Sequence, residues 1–215
     1  MDADTSSPIS LTGNEARDEI VRAAAEVFME FGFAATSIDA VAERLGATKG
    51  RIYHYYRSKA ELYFDVQIAA MEKLAREIEP IAKGAGNAAE RLEAMALRHA
   101  TILMEDLPVQ KVAVRGLERE LLGAVAARHA KTLRSIIRLR DDYEQIFAEV
   151  IDDGIRAGLF VDLPPRLATK PFFGALNWLT VWYVPRRLQT AEDIAEIART
   201  LTGCAMRGIL KGAQL

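Results

Sequence analysis

Between Arg44 and Ala60 the chain carries five basic side chains, Arg44, Lys49, Arg51, Arg57 and Lys59, and no acidic one, whereas residues 1–43 hold nine acids and two arginines. A cationic cluster on a short element can neutralise phosphates and displace their counterions, and a guanidinium can pair with the O6 and N7 edge of guanine. Arg51 is the candidate for base readout, and Gly50 beside it lets the backbone approach a duplex closely. Thr48, Lys49 and Lys59 are candidate phosphate contacts, Tyr53 and His54 can add phosphate or thymine-methyl contacts, and Thr36 and Ser37, at the start of the preceding element, are DNA-contact candidates as well.

Other chemistry is sparse. Cys204 is the single cysteine, which excludes an internal disulfide framework and a cysteine-cluster zinc site. His54, His99 and His129 are far apart, and neither His-Glu-x-x-His nor Gly-x-Ser-x-Gly occurs. Gly84-Ala-Gly86-Asn-Ala-Ala89 fits a dinucleotide pattern, but a helical segment precedes it where a strand is required, so it reads as an interhelical loop. No catalytic residue, metal site or cofactor is expected. Residues 109–140 hold eight Lys or Arg against two Glu, with Arg128, Lys131, Arg134 and Arg138 at three- and four-residue steps. A solvated helix face and a site for a ligand's phosphates account for that stripe equally well.

The elements that must position these groups are helices. Apolar residues recur at three- and four-residue spacing and alternating strand patterns are scarce, which predicts an all-α fold of about nine helices. They are expected over 14–31, 38–45, 49–55, 59–79, 88–106, 109–122, 126–157, 166–184 and 191–210, with Ile20, Ala24, Val27, Phe28 and Phe31 on the core face of the first. Residues 1–12 read as a disordered tail, 13–60 as one domain and 61–215 as a second. Thr36-Ser-Ile-Asp39 has the form of a capping box, Gly46 suits a tight turn, and Thr48 caps the next helix. Two short helices about such a turn, behind a longer supporting helix, lay the second in a DNA major groove.

Composition limits the alternatives. The chain has 215 residues, half of them hydrophobic and 27% charged, with a net charge of −2, so it does not coat nucleic acid by charge alone. Its start lacks the basic and apolar regions of a secretory signal, and the most apolar run, 172–184, is well short of the roughly 20 residues a membrane-spanning helix needs. A cytoplasmic protein without membrane contact is expected. An architectural DNA binder and an enzyme hidden in the helical body are the competing classes; the acidity disfavours the first, and the absence of convergent acid, base or nucleophile groups disfavours the second.

The segment from Arg17 to Leu62 resembles the TetR family of bacterial transcriptional repressors, through Ile20, Ala24, Phe28, Gly32-Phe33, Thr36-Ser-Ile-Asp-Ala-Val-Ala, Gly46-Ala-Thr-Lys-Gly-Arg-Ile-Tyr-His-Tyr-Tyr and Ser58-Lys-Ala-Glu-Leu62. Arg51 departs from the small Thr or Ser common there. The resemblance implies a helix-turn-helix DNA-binding domain, a double-stranded operator as partner, and an effector cavity in the C-terminal body. Met95, Ile102, Leu103, Leu117, Tyr143, Phe147, Asn177, Trp178 and Trp182 are then the candidate cavity residues. Residues 174–185 are similar to a subgroup that responds to acyl-CoA thioesters, which makes an acyl-CoA the implied effector and drugs or aromatic compounds the alternative. The last two helices are candidates for a homodimer interface through Gly174, Ala175, Ile194, Ile197, Ala198 and Leu201, and a dimer would favour a palindromic operator.

Overall fold

The structure, a computed structural model, describes residues 13–115 and 126–212. Among them are ten helices, α1 (Gly13–Ala35), α2 (Ile38–Leu45), α3 (Lys49–Tyr55), α4 (Lys59–Ala82), α5 (Ala88–Glu105), α6 (Leu107–Arg115), α7 (Ala126–Arg156), α8 (Pro165–Asn177), α9 (Leu179–Trp182) and α10 (Ala191–Arg207). None is long and apolar enough to cross a membrane. The expected tail at 1–12 and the end of the helix expected over 109–122 lie outside the described residues.

Local chemistry sets most helix ends. In α1 the residues Ile20, Ala24, Val27 and Phe28 are buried at three- and four-residue steps. Gly32 breaks this helix at φ 75°, a left-handed angle that favours glycine, and Phe31 beside it is 53% exposed rather than part of the core. The capping box expected at Thr36 and Asp39 is displaced by one residue: Ser37 Oγ accepts from the Ala40 amide at 3.1 Å. Thr36 is buried and donates to the Gly32 carbonyl at 2.7 Å, and Asp39 pairs with Lys49. Gly46 closes α2 at φ 65°, and Thr48 Oγ1 accepts from the Arg51 amide at 3.4 Å to open α3. The segment at 84–89 is the loop expected of it, ending in a reciprocal Asn87–Glu90 box. The helix expected over 166–184 is divided at Trp178 into α8 and the single turn α9.

Packing divides inside α4. Ala60, Leu62, Tyr63, Phe64, Val66 and Ala70 share a core with α1, α2 and Ile52 of α3. From Met71 onward α4 faces a second core with α5, α7, α8 and α10. The first core also takes in Val109, Val112 and Ala113 of α6 with Leu133 and Ile136 of α7, so the body reaches into the N-terminal unit. At the far end of α7, a Cβ on Gly154 would stand 2.2 Å from the buried Phe160 ring, which only glycine permits.

Candidate nucleic-acid interface and ligand cavity

Of α3 only Ile52 is fully buried, with Tyr55 packed partly against the same core, while Lys49, Gly50, Tyr53 and His54 face outward. Tyr53 is 54% exposed, and a Cβ on Gly50 would meet nothing nearer than Thr48 Oγ1 at 3.8 Å, which leaves the backbone open to close approach. The cationic run is not a free patch. Arg51 pairs with Glu19 of α1 at 2.7 Å, Lys49 with Asp39 of α2 at 2.5 Å, and Arg44 with Glu26 and Glu30 at 3.0 and 2.6 Å. Exposed pairs of this kind are individually weak, so phosphates can compete for Lys49 and Arg51.

Two of the expected DNA contacts have internal tasks instead. Thr36 is turned into the fold by its bond to Gly32, which withdraws its side chain from a duplex. Lys59 Nζ donates to the carbonyls of Phe33, Ala34 and Thr36 at 2.6, 3.1 and 2.7 Å and lies 4.5 Å from the Phe33 ring centre. It satisfies carbonyls that the end of α1 leaves open and completes the negative pole of that helix. Ser37 and Thr48 remain exposed while capping their helices.

Behind α3 lies a polar knot that the sequence did not reveal. The Tyr56 hydroxyl donates to Asp65 Oδ2 at 2.5 Å, and Arg17 clasps the same carboxylate through Nε at 2.8 Å and through Nη2. Burial and then the Asp65 bond raise the Tyr56 pKa, and the bond to Asp65 is the main cause of a raised pKa at Arg17. The end of α3 is thereby fixed to α1 and α4.

In the body a cavity of about 240 Å³ is lined by Met71 and Leu74 of α4, His99 of α5, Gln110, Ala113 and Val114 of α6, Arg140, Tyr143 and Glu144 of α7, and Phe173 and Asn177 of α8. Its size is at the small end for ligand sites. His99 is buried with Nδ1 2.7 Å from the Tyr143 hydroxyl and Nε2 2.9 Å from Asn177 Oδ1. Asn177 Oδ1 accepts, so Nε2 carries the proton and Tyr143 donates to Nδ1. Desolvation lowers the His99 pKa to about 4, keeping the ring neutral, and burial raises that of Tyr143. Burial also lowers the Arg140 pKa. At Glu144 burial opposes ionisation, but hydrogen bonds from Lys170 and Thr169 overcome it and the pKa is lowered.

Of the residues expected to line a cavity, Tyr143 and Asn177 do so. Met95, Ile102, Leu103 and Phe147 are packed into the core away from it, because their helix faces are filled by neighbouring apolar side chains. Trp178 and Trp182 point to the surface, 62% and 45% exposed, because α8 turns Asn177 and Leu176 inward. Leu117 lies outside the described residues. His99, Gln110 and Arg140 were missed. Their signal was a polar residue on an otherwise apolar helical face, as with Gln110 among Leu107, Val109, Val112 and Ala113. Arg128, Lys131, Arg134 and Arg138 are exposed, and Arg140 turns inward beside them.

Residues 20–66 match the family described as "Bacterial regulatory proteins, tetR family", and residues 85–209 match "Tetracyclin repressor-like, C-terminal domain". The chain belongs to the TetR family. This TetR-family transcriptional regulator is 25% identical over 209 residues to the HTH-type transcriptional repressor KstR2 of Mycobacterium tuberculosis, across 91% of this chain and 96% of that one. The solved structure of that ketosteroid regulator has a TM-score of 0.77 and 20% identity, covering 95% of this chain and 100% of its own. The fatty acid metabolism regulator protein of Bacillus subtilis is 24% identical over 166 residues, 76% of this chain and 81% of that protein. AibR in complex with isovaleryl coenzyme A and operator DNA has a TM-score of 0.65 and 23% identity, with 88% and 97% coverage.

The TetR-family body also carries an unpartnered apolar stripe. Leu167, Gly174, Ala175, Trp178, Val181 and Trp182 are exposed at helical spacing along α8 and α9. Of the other residues expected at an interface, Ala198 is fully buried, and Ile194, Ile197 and Leu201 are half-buried against the body's core. Their helix, α10, turns its apolar face onto α5 and α8, which takes Ala198 out of any surface.

Proposed function

We propose that this TetR-family transcriptional repressor acts as a cytoplasmic homodimer whose two copies of α3 enter successive major-groove faces of a palindromic operator, and that an acyl-CoA releases it. Lys49, Gly50, Arg51, Tyr53 and His54 are the contacting residues, with Ser37 and Thr48 at the helix starts, and the stripe through Gly174, Ala175, Trp178 and Trp182 is the dimer face. One observation carries the effector mechanism: Ala113 both lines the cavity and belongs to the core beneath the helix-turn-helix. A ligand that moves α6 therefore displaces a wall that α1 and α4 also use. Arg115 of α6 reinforces this wall by donating to the Met29 carbonyl of α1 at 3.3 Å.

The relatives named for steroid and fatty-acid regulation, and the isovaleryl coenzyme A bound to AibR, support an acyl thioester as the effector class. Release needs the effector to prefer the form that does not fit DNA, and about 1.4 kcal/mol of preference gives a tenfold shift. A second reading, a sensor of aromatic compounds, draws on the rings at the cavity, where His99 and Phe173 lie 5.4 Å apart edge to face and Tyr143 and Phe173 lie 5.8 Å apart. Fluorescence anisotropy on DNA from upstream of the protein's own gene, titrated with acyl-CoAs of graded length and with aromatic acids, separates the two. Displacement by thioesters is expected, and displacement by aromatic acids alone would transfer the site to the second reading.

A further inference from the structure

The cavity contains more hydrogen-bonding capacity than the protein uses. Gln110 is completely buried on its wall, and neither its amide nitrogen nor its carbonyl oxygen has a partner. Nε of Arg140 is buried and likewise unpartnered. The guanidinium is anchored through Nη2, which donates to Gln67 Oε1 at 2.8 Å and to the Ala113 carbonyl, and Gln67 in turn donates to the Val112 carbonyl at 2.9 Å.

No carboxylate among the described residues lies within ion-pair distance of Arg140. Glu144, one turn further along α7 and also on the cavity wall, is engaged by Lys170 and Thr169 of α8. Buried polar groups are as a rule paired, and the half-buried Arg140 guanidinium has only neutral partners, Gln67 Oε1 and the Ala113 carbonyl. A carboxylate offers two acceptor oxygens, one for the orphan Nε–H of Arg140 and one for the orphan amide N–H of Gln110.

We infer that Arg140 and Gln110 form a carboxylate subsite, so that the effector is a short acyl group carrying a carboxylate at the end that enters the cavity. Met71, Leu74 and Phe173 cover its methylene chain, while His99, kept neutral between Tyr143 and Asn177, adds no competing charge. A space of about 240 Å³ admits such a chain and leaves the bulk of a coenzyme thioester outside. The subsite is also where sensing begins. Arg140 drawn toward a carboxylate loosens its bond to the Ala113 carbonyl, on the α6 wall shared with the helix-turn-helix core.

This inference deepens the acyl-CoA reading and rests on it, but the two can fail separately. The test is calorimetric titration and thermal shift of the full chain with glutaryl-CoA, pentanoyl-CoA, free glutarate and free pentanoate. Wild type is expected to bind glutaryl-CoA about tenfold or more tighter than pentanoyl-CoA, the effect of a charge-assisted pair. Arg140→Met should erase that preference while keeping pentanoyl-CoA binding. Gln110→Leu should raise the melting temperature of the ligand-free protein and reduce the preference, a combination that a purely structural glutamine would not produce.

Equal or tighter binding of pentanoyl-CoA by wild type overturns the carboxylate subsite and leaves the acyl-CoA reading intact. Binding of free glutarate, dependent on Arg140, without binding of either thioester supports the subsite and overturns the acyl-CoA reading. No binding of any of the four overturns both.

Discussion

Single side chains decide what the two sites can do. Arg51 has base-reading chemistry on α3, yet it is paired with Glu19, so the DNA contact proposed for it exchanges one carboxylate for a guanine edge or a phosphate. Arg51→Ala is expected to relax preference at one base pair of the operator, while Glu19→Gln, which frees the guanidinium, should tighten binding to every sequence. Competition binding against a set of single-base operator variants checks both, and a uniform loss across all variants for Arg51→Ala would remove its base-reading role. His99 carries a pH signature. Its pKa of about 4 in the fold lies below the ordinary value of 6.5, so the unfolded chain takes up the proton first as pH falls. Stability is fully present above about pH 6.5 and is lost progressively toward pH 4, by about 3 kcal/mol at most. Melting temperature measured across that window should fall, and His99→Gln should flatten the curve.

Helices and their ends set where those side chains stand. The turn from α2 to α3 needs little besides Ser37, Gly46 and Thr48, and α3 is kept short by the extended backbone at Tyr56. The end of α1 depends on a distant residue, Lys59, whose ammonium closes three carbonyls near the Gly32 break. Lys59→Ala is therefore expected to destabilise the protein by about 1.5–3 kcal/mol, the range for hydrogen bonds involving a charged group, and to leave the salt dependence of DNA binding nearly unchanged. Chemical denaturation and binding across an ionic-strength series read the two effects separately. A reduced salt slope with unchanged stability would return Lys59 to the phosphate backbone. The orphan polar atoms of the α6–α7 wall belong to this scale as well, since leaving a buried amide unpaired costs about 1–3 kcal/mol.

For the molecule as a whole, the two units are joined through α4, α6 and α7, each of which lines the cavity and also supplies side chains to the core beneath α3. An effector site built on shared walls can bias the distance between two recognition helices without a long relay. In the proposed homodimer that distance spans two copies. The stripe of α8 and α9 offers tryptophan surface, with Trp178 62% exposed, so Trp178→Glu should leave the melting temperature of the monomer fold close to wild type while yielding a monomer by light scattering. Operator affinity should fall with it, because each monomer then contributes only one half-site. A dimer that survives this substitution with unchanged mass would place the interface elsewhere.

The helix-turn-helix was legible in the sequence because its determinants are local: caps act over three residues, a glycine supplies one left-handed angle, and apolar spacing names an inward face. The all-α class and the loop at 84–89 followed from the same short-range rules. Which face meets which was not local. A polar handle on an apolar body marked Asn177 and Trp178 alike as cavity candidates, and only the packing of α8 turned one to the cavity and the other to the surface. The charge run from Arg44 to Lys59 looked unopposed because its partners, Glu19, Glu26 and Glu30, lie on another helix. His99, Gln110 and Arg140 come from three helices and acquire a shared role only where those helices converge. A sequence states what each helix can offer, and the pairing of helix faces across the molecule decides what those offers are used for.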